Sequence, residues 1–180
     1  MVYVFLADGF EETEAVAPID LLRRSGCEVV TVGVTGKTVT SSHNIPMICD
    51  IELKDAVCEG LEMIVLPGGK VGVDNLIASK RVDEMIDYCV ENGLFVGAIC
   101  AAPSVPGLKG LLDGKKAVCY PGFEAKLHGA LIQDAPAVRD GIFITGRSAG
   151  ASLEFSYELI TALKGEEKAK EVAGSIVWDI

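Results

Sequence analysis

The sequence has no two cysteines in a C-x-x-C arrangement and only two histidines, His43 and His128, in 180 residues. Because a structural zinc site needs about four closely grouped cysteine or histidine ligands, no metal site is expected. In a reducing compartment the cysteines are expected to be free thiols, most of them small buried hydrophobes. They are Cys27, Cys49, Cys58, Cys89, Cys100 and Cys119.

Clusters of basic residues are also missing. The chain carries 16 Lys and Arg against 26 Asp and Glu, which gives a net charge of −10. The densest basic features are the pairs Arg23-Arg24 and Lys115-Lys116. Since an acidic surface repels phosphate, nucleic acid is not expected as a stable partner.

No apolar run approaches the length of a membrane span, and the sequence has no basic leader typical of a signal peptide. We therefore expect no membrane partner and a cytoplasmic location. Aromatic residues make up only 6% of a chain that is 49% hydrophobic, so aliphatic side chains and alanine must fill the core. The length fits a single domain over residues 1–180.

Apolar runs alternate with amphipathic segments along the chain, which predicts an α/β fold with a doubly wound, mostly parallel sheet and helices on both faces. The predicted strands are 2–7, 28–34, 63–66, 94–99, 116–119 and the pair 137–140 and 142–145. The predicted helices are 11–25, 81–91, 101–112, 151–163 and 166–175, and the third is expected to be bent or broken at Pro106. Residues 38–53 are predicted to form a small antiparallel excursion at the sheet edge.

Residues 94–103 form the segment most suggestive of chemistry. A buried strand ends at Cys100, and Ala101, Ala102 and Pro103 then suit the first turn of a helix. This places a thiol at the carboxyl edge of the sheet, where α/β folds bind ligands. A helix N-terminus there is expected to lower the pKa of the thiol, and the tight turn is expected to strain the cysteine backbone. The alternative is an ordinary buried thiol.

Glu14 is the predicted partner of this thiol. It is one of three glutamates near the end of the first strand, and each could simply complement the helix dipole. Pro18 cannot donate to the carbonyl of Glu14, so it is expected to kink or loosen that turn and free Glu14. A carboxyl and a thiol placed together would titrate as a pair.

The glycines after the third predicted strand form the third candidate feature, and alone they would indicate only a tight turn. Gly68 and Gly69 follow a strand expected to lie beside the Cys100 strand. The N–H groups of Gly69 and Ala101 could then form an oxyanion hole. The sequence lacks G-x-G-x-x-G, and we expect no cofactor.

The scarcity of histidine bears on the reaction class. Cysteine hydrolases with a catalytic dyad use a histidine base. Both histidines lie in predicted surface loops, and Cys100 is followed by Ala101. A protease or glutaminase mechanism is therefore disfavoured.

Several motifs resemble the ThiJ/PfpI superfamily, and most closely its DJ-one/ThiJ branch. They are Asp-Gly-Phe-Glu-Glu-Thr-Glu-Ala-Val (8–16) with Pro-Ile-Asp (18–20), Leu-Pro-Gly-Gly (66–69), Ala-Ile-Cys-Ala-Ala-Pro (98–103) and Gly-Glu-Glu-Lys-Ala near the end. The resemblance covers essentially the whole chain in the same order. It implies a flavodoxin-like α/β sandwich that forms a homodimer, with the cysteine elbow near the dimer interface.

By this resemblance Cys100 is the reactive, oxidisable cysteine and Glu14 the glutamate that hydrogen-bonds it, while Gly69 and Ala101 supply backbone donors. Two positions depart from the family pattern. Tyr120 stands where many relatives carry a pocket histidine, which removes an imidazole-assisted step. Arg147 begins the segment Arg-Ser-Ala-Gly in place of Arg-Gly-Pro-Gly, where it could still brace the site.

The resemblance implies an enzyme that acts on 2-oxoaldehydes such as methylglyoxal or glyoxal, or on their early protein adducts, without a cofactor. Cys100 would form a hemithioacetal, and Glu14 would move a proton between carbon and oxygen. The alternatives are an oxidative-stress sensor that uses reversible oxidation of Cys100, and a structural or chaperone-like dimer.

Overall fold

The computed structural model describes residues 1–179, and its central feature is a sheet built from the short apolar runs of the sequence. Its strands are β1 Val2–Leu6, β2 Val29–Gly33, β3 Thr38–Thr40, β4 Pro46–Ile48, β5 Ile51–Glu52, β6 Met63–Leu66, β7 Phe95–Ile99, β8 Lys116–Ala117, β9 Leu131–Ile132, β10 Ala137–Asp140 and β11 Phe143–Gly146. Its α-helices are α1 Glu12–Arg24, α2 Lys70–Ala78, α3 Lys80–Glu91, α4 Ser104–Leu108, α5 Ser152–Lys164 and α6 Glu166–Ser175.

The main sheet has the strand order β10-β11-β7-β6-β1-β2-β5, and the pairing is parallel except between β10 and β11. Its five longer parallel strands follow the flavodoxin-like order 2-1-3-4-5. The chain leaves β1 towards β2 on one side and later returns to β6 on the other. This reversal opens a crevice at the carboxyl ends of β1 and β6, where such folds bind ligands.

Helices cover both faces of the sheet, which confirms the predicted fold class. One core cluster packs α2 and α3 against the sheet through residues such as Leu76, Met85 and Ile86. The other packs α1, α5 and α6 through residues such as Leu22 and Phe155. The strands between these layers are buried on both sides, which explains their continuous apolar runs.

The structure differs from the predictions at two short segments outside the long strands. Residues 38–53 do contain an antiparallel pair, β3 with β4, but β5 then joins the main sheet in parallel beside β2. The predicted strand at 116–119 is only two residues long, and it pairs with β9 in a separate small sheet. These short strands depend on local pairing rather than on a buried apolar run.

The helices after β6 and β7 also differ from the predictions. The helix α2 was not predicted, because the glycine-rich sequence resembles a turn. The predicted helix 101–112 is reduced to α4, since Pro106 and Gly107 are poor helix formers and Gly110 adopts a φ of +73°. The predicted disturbance at Pro18 does not end α1, which continues through that residue.

Within residues 1–179, no helix combines the length and the apolar character needed to cross a membrane.

Candidate functional site

Three loops meet at the carboxyl edge of the sheet, after β1, β6 and β7. Neighbouring parallel strands bring them together, because β1 pairs with β6 and β6 pairs with β7. The β1 loop leads into Glu14, the β6 loop contains Gly68 and Gly69, and the β7 loop begins with Cys100. Residues far apart in the chain therefore converge at one place.

Cys100 sits on a strained turn, as expected. Its φ is +65°, a left-handed conformation that non-glycine residues rarely adopt. Two backbone hydrogen bonds hold it there. The Cys100 N–H donates to the carbonyl of Gly146 at 2.9 Å, and the Tyr120 N–H donates to the carbonyl of Cys100 at 2.7 Å. Strain of this kind is common at functional sites, where the surrounding structure maintains it.

Gly68 and Gly69 allow the backbone to approach the sulfur. A β-carbon on Gly68 would overlap Glu14 Oε2 and lie 2.6 Å from Cys100 Cβ and 3.1 Å from its Sγ. Gly69 has a φ of +86°, and a β-carbon there would overlap the carbonyl of Gly9. Both positions therefore require glycine, and the N–H groups of Gly69 and Ala101 act on the Cys100 sulfur in the direction that lowers its pKa.

Glu14 lies in the first turns of α1 and is only 1% exposed. Its Oε2 accepts the N–H of Gly68 at 2.9 Å and lies on the side of the Cys100 sulfur. Its Oε1 is closed off from solvent and has no hydrogen-bond partner among residues 1–179. The carboxyl is thus held against the thiol from the interior of the protein.

The pKa of Glu14 is raised from 4.5 to about 7, chiefly by burial and also by the charge of Glu11, while hydrogen bonds from Cys100 and Gly68 oppose the increase. Burial also raises the pKa of Cys100 to about 12, aided by the charge of Glu14 and a hydrogen bond with it. The two groups therefore share one proton and one negative charge between about pH 7 and pH 12. Because the pKa of Cys100 stays above that of Glu14, the proton rests on the sulfur and the charge on Glu14, although the N–H groups of Gly69 and Ala101 act in the opposite direction.

This result corrects the expectation that a helix N-terminus lowers the pKa of the thiol. The helix α4 begins only at Ser104 and spans five residues. Its dipole is weak at that distance, whereas burial and the neighbouring carboxyl act directly on the sulfur. The reactive charge state depends on the pair rather than on the helix.

A pocket of about 290 Å³ opens in front of Cys100. It is lined by Glu11, Gly69, Lys70, Cys100, Ala101, Tyr120 and Phe123. Glu11, Lys70 and Phe123 were not predicted as pocket residues. Of these, only Glu11 belonged to a pattern that could have indicated it, the three glutamates near the end of the first strand. A larger cavity of about 380 Å³ near Tyr157 and Trp178 lies elsewhere and contains no cysteine.

Tyr120 lines the pocket, and its ring packs edge-on against Phe123 at a centroid distance of 6.3 Å. Pro18 is buried within α1 and does not line the pocket. Arg147 also lies outside the lining, and its guanidinium pairs with the exposed Asp134 at 3.2 Å. Among residues 1–179, Arg147 therefore makes no bracing contact at the pocket.

Both histidines are exposed. His43 Nδ1 lies 2.7 Å from Glu12 Oε1, and the side chains of Glu11, Glu12 and His43 place possible ligand atoms within 4.8 Å of one another. These atoms lie at the positive end of α1, which disfavours a cation. Glu11 Oε2 is already engaged, since it accepts the N–H of Glu14 at 2.7 Å. We assign no metal to this group.

Comparison with known proteins agrees with this geometry. A model of the DJ-1/PfpI family matches residues 1–162. The chain belongs to the DJ-1/PfpI family. DJ-1 relatives and structures also confirm the resemblance to the DJ-1/ThiJ branch. Protein DJ-1 homolog B of Arabidopsis thaliana is 39% identical over 98% of the chain, which spans only 41% of that relative. The chain spans less than half of each of two such Arabidopsis relatives.

Relatives of similar length exist as well. Protein dj-1beta of Drosophila melanogaster is 33% identical over 97% of this chain and 95% of its own. The crystal structure of Drosophila DJ-1beta matches 99% of this chain and 98% of its own with a TM-score of 0.95 and 32% identity. Oxidized Toxoplasma gondii DJ-1 matches the same shares with a TM-score of 0.95 and 31% identity.

One relative carries an activity in its name. The glutathione-independent glyoxalase DJR-1.2 of Caenorhabditis elegans is 27% identical over 90% of this chain and 87% of its own.

Proposed function

We propose that this DJ-1/PfpI protein is a cysteine enzyme that converts small 2-oxoaldehydes, such as methylglyoxal and glyoxal, or their early protein adducts, without a cofactor. The observation that carries the proposal is the strained Cys100, whose sulfur lies between two backbone donors and the buried Glu14. The glyoxalase relative from Caenorhabditis elegans supports the substrate class.

In the proposed reaction, the Cys100 sulfur adds to the aldehyde carbon and forms a hemithioacetal. Glu14 acts as the proton shuttle of the thiol, taking its proton and passing it towards the new hydroxyl oxygen. The N–H groups of Gly69 and Ala101 stabilise the oxygen as its charge develops. A proton then moves from the aldehyde carbon to the neighbouring carbon, and water releases a hydroxy acid such as lactate.

Turnover of methylglyoxal, glyoxal and a glycated peptide, with identification of each product, tests the proposal. Cys100→Ala is expected to abolish turnover because it removes the nucleophile. Glu14→Gln is expected to reduce it by about 100-fold or more, the usual contribution of a positioned acid or base. Unchanged rates in either variant would contradict the mechanism, and wild-type inactivity towards all three substrates would contradict the function.

A role in redox sensing is the second candidate, favoured by the half-buried sulfur of Cys100 beside a carboxyl that can donate a hydrogen bond when protonated. Such a neighbour would stabilise a sulfinate. Mass spectrometry after mild peroxide treatment tests this role. Selective oxidation of Cys100 over the other five cysteines supports sensing, while uniform oxidation or none at Cys100 contradicts it.

We also propose that the chain forms a homodimer. Three apolar side chains on α1 and the neighbouring β3–β4 segment are exposed: Val16 by 48%, Ile45 by 50% and Ile48 by 77%. Covering them would remove apolar surface from water. Light scattering of wild type and Ile48→Glu tests the proposal, since the charge should shift a dimer towards monomers. A monomeric wild type would contradict it.

A further inference from the structure

Both backbone groups of Cys100 are held by residues outside its own strand. Its N–H donates to the carbonyl of Gly146 at 2.9 Å, and its carbonyl accepts the N–H of Tyr120 at 2.7 Å. A non-glycine residue with a φ of +65° would relax towards negative φ if these partners moved away. The strained conformation of Cys100 therefore depends on whatever fixes Gly146 and Tyr120.

These two partners are not fixed in the same way. Gly146 ends β11 and lies opposite Ile99 of β7, so the main sheet holds it. Tyr120 belongs to residues 118–120, which follow the two-residue strand β8 and lie in no helix or strand. The strand β8 itself pairs with β9 in a separate small sheet. Strand pairing therefore does not place residues 118–120 against Cys100.

A side-chain hydroxyl on β11 supplies the missing anchor. Thr145 is 2% exposed, and its Oγ1 accepts the buried N–H of Val118 at 3.0 Å and donates to the carbonyl of Val138 at 3.5 Å. Within residues 1–179, this bond to Val118 and the bond from Tyr120 to Cys100 are the hydrogen bonds that tie residues 118–120 to β11 and to the turn after β7. Without the hydroxyl, a buried N–H would have no partner, which is costly.

We infer that Thr145 is a positioning residue that keeps Cys100 in its strained, reactive conformation. The hydrogen bonds close a ring. From Cys100 the ring passes through Gly146 to the adjacent Thr145. From the Thr145 hydroxyl it passes through Val118 and Tyr120 back to the carbonyl of Cys100. The effect on turnover rests on the proposed function, whereas the effect on the thiol requires no substrate.

The conformation of Cys100 decides which groups face its sulfur. Burial and the charge of Glu14 raise the pKa of Cys100, and the N–H groups of Gly69 and Ala101 act against this increase. Ala101 follows Cys100 directly, so relaxation of the strained turn would rotate its N–H away from the sulfur. Loss of the Thr145 hydroxyl should therefore make the thiolate harder to form and less well directed towards a substrate.

Labelling of Cys100 by iodoacetamide, quantified by peptide mass spectrometry, tests the inference without a substrate. Thr145→Val removes the hydroxyl with little change of shape. It should label Cys100 about tenfold more slowly than wild type, the effect of losing one hydrogen bond to a charged group. Its kcat for methylglyoxal should fall about tenfold or more, because the nucleophile is misplaced. Thr145→Ser keeps the acceptor and should restore both rates.

Thr31 provides a matched control on β2. Its buried hydroxyl donates to Asp50 Oδ2 at 2.9 Å and accepts the N–H of Asp50 at 2.8 Å. Thr31→Val should unfold at lower urea concentration than wild type, yet it should label Cys100 and turn over methylglyoxal at wild-type rates. Equal slowing in both valine variants would overturn the inference, because it would show a general effect of lost stability. Labelling of Thr145→Val at the wild-type rate or faster would also overturn it.

Amide hydrogen exchange of wild type, followed by NMR, gives a readout that needs no variant. The amides of Cys100, Val118 and Tyr120 should share one free energy of opening, because breaking the ring at one point releases the others. Separate free energies of opening would overturn the inference. Wild type that turns over no 2-oxoaldehyde would contradict the proposed function alone, since labelling and exchange would still decide the role of Thr145.

Discussion

The buried carboxyl of Glu14 should make the stability of the protein depend on pH in a defined way. Burial raises its pKa from 4.5 to about 7. Because the folded protein then holds this proton more tightly than the unfolded chain, protonated Glu14 contributes stability below about pH 4.5, and this contribution is lost as the pH rises through about 7. Replacing Glu14 by glutamine removes the ionisation and with it this loss.

The magnitude follows from the pKa shift. A shift from 4.5 to about 7 corresponds to about 3 kcal/mol at roughly 1.4 kcal/mol per pH unit. Of this stability contribution, about 2 kcal/mol is lost between about pH 5.5 and about pH 8. The lower end of this pH range lies above the isoelectric point of the protein, near 4.6, where its solubility would be lowest.

Urea unfolding of wild type and Glu14→Gln across this range measures the effect. The free energy of unfolding of Glu14→Gln, relative to wild type, should rise by about 2 kcal/mol from about pH 5.5 to about pH 8. Any constant difference in packing cancels from this comparison. Glu59→Gln is the control and should show no such trend, since the side chain of Glu59 is exposed. A flat or falling difference for Glu14→Gln would refute the reasoning.

Two further predictions concern the site. The kcat/KM for methylglyoxal should fall about tenfold per pH unit below about pH 7, because the Cys100–Glu14 pair then holds both protons. Glu14→Gln should move this acidic limb of the pH profile to higher pH. A wild-type limb centred on the pKa of a free cysteine would contradict the shared proton. Gly69→Ala should lower the free energy of unfolding by about 2 kcal/mol or more and abolish turnover, since φ is +86° and the added carbon overlaps the backbone. The control Gly60→Ala has a φ of +72° and open space, so it should lose about 1 kcal/mol and keep its turnover; equal losses would contradict the steric argument.

The long elements could be predicted from the sequence because their signals are local. A continuous apolar run such as Met63–Leu66 is buried on both faces of a parallel sheet, and its composition shows this directly. The amphipathic pattern of Lys80–Glu91 is equally local. The helix Lys70–Ala78 was hidden because its glycines serve a contact with another segment. A β-carbon on Gly72 would lie 2.8 Å from the Cα of Phe10, a contact that depends on the folded chain.

The sequence by itself determined which residues end the three central strands, and therefore that Cys100, Gly69 and Glu14 meet at one edge of the sheet. Only the tertiary structure decided what each group can do there. The pKa of Cys100 is raised rather than lowered because packing buries the sulfur beside a carboxyl, and burial is a property of the assembled layers. The same packing buries Glu14 and leaves Glu11 in the pocket lining, a distinction that neighbouring glutamates in a sequence do not reveal.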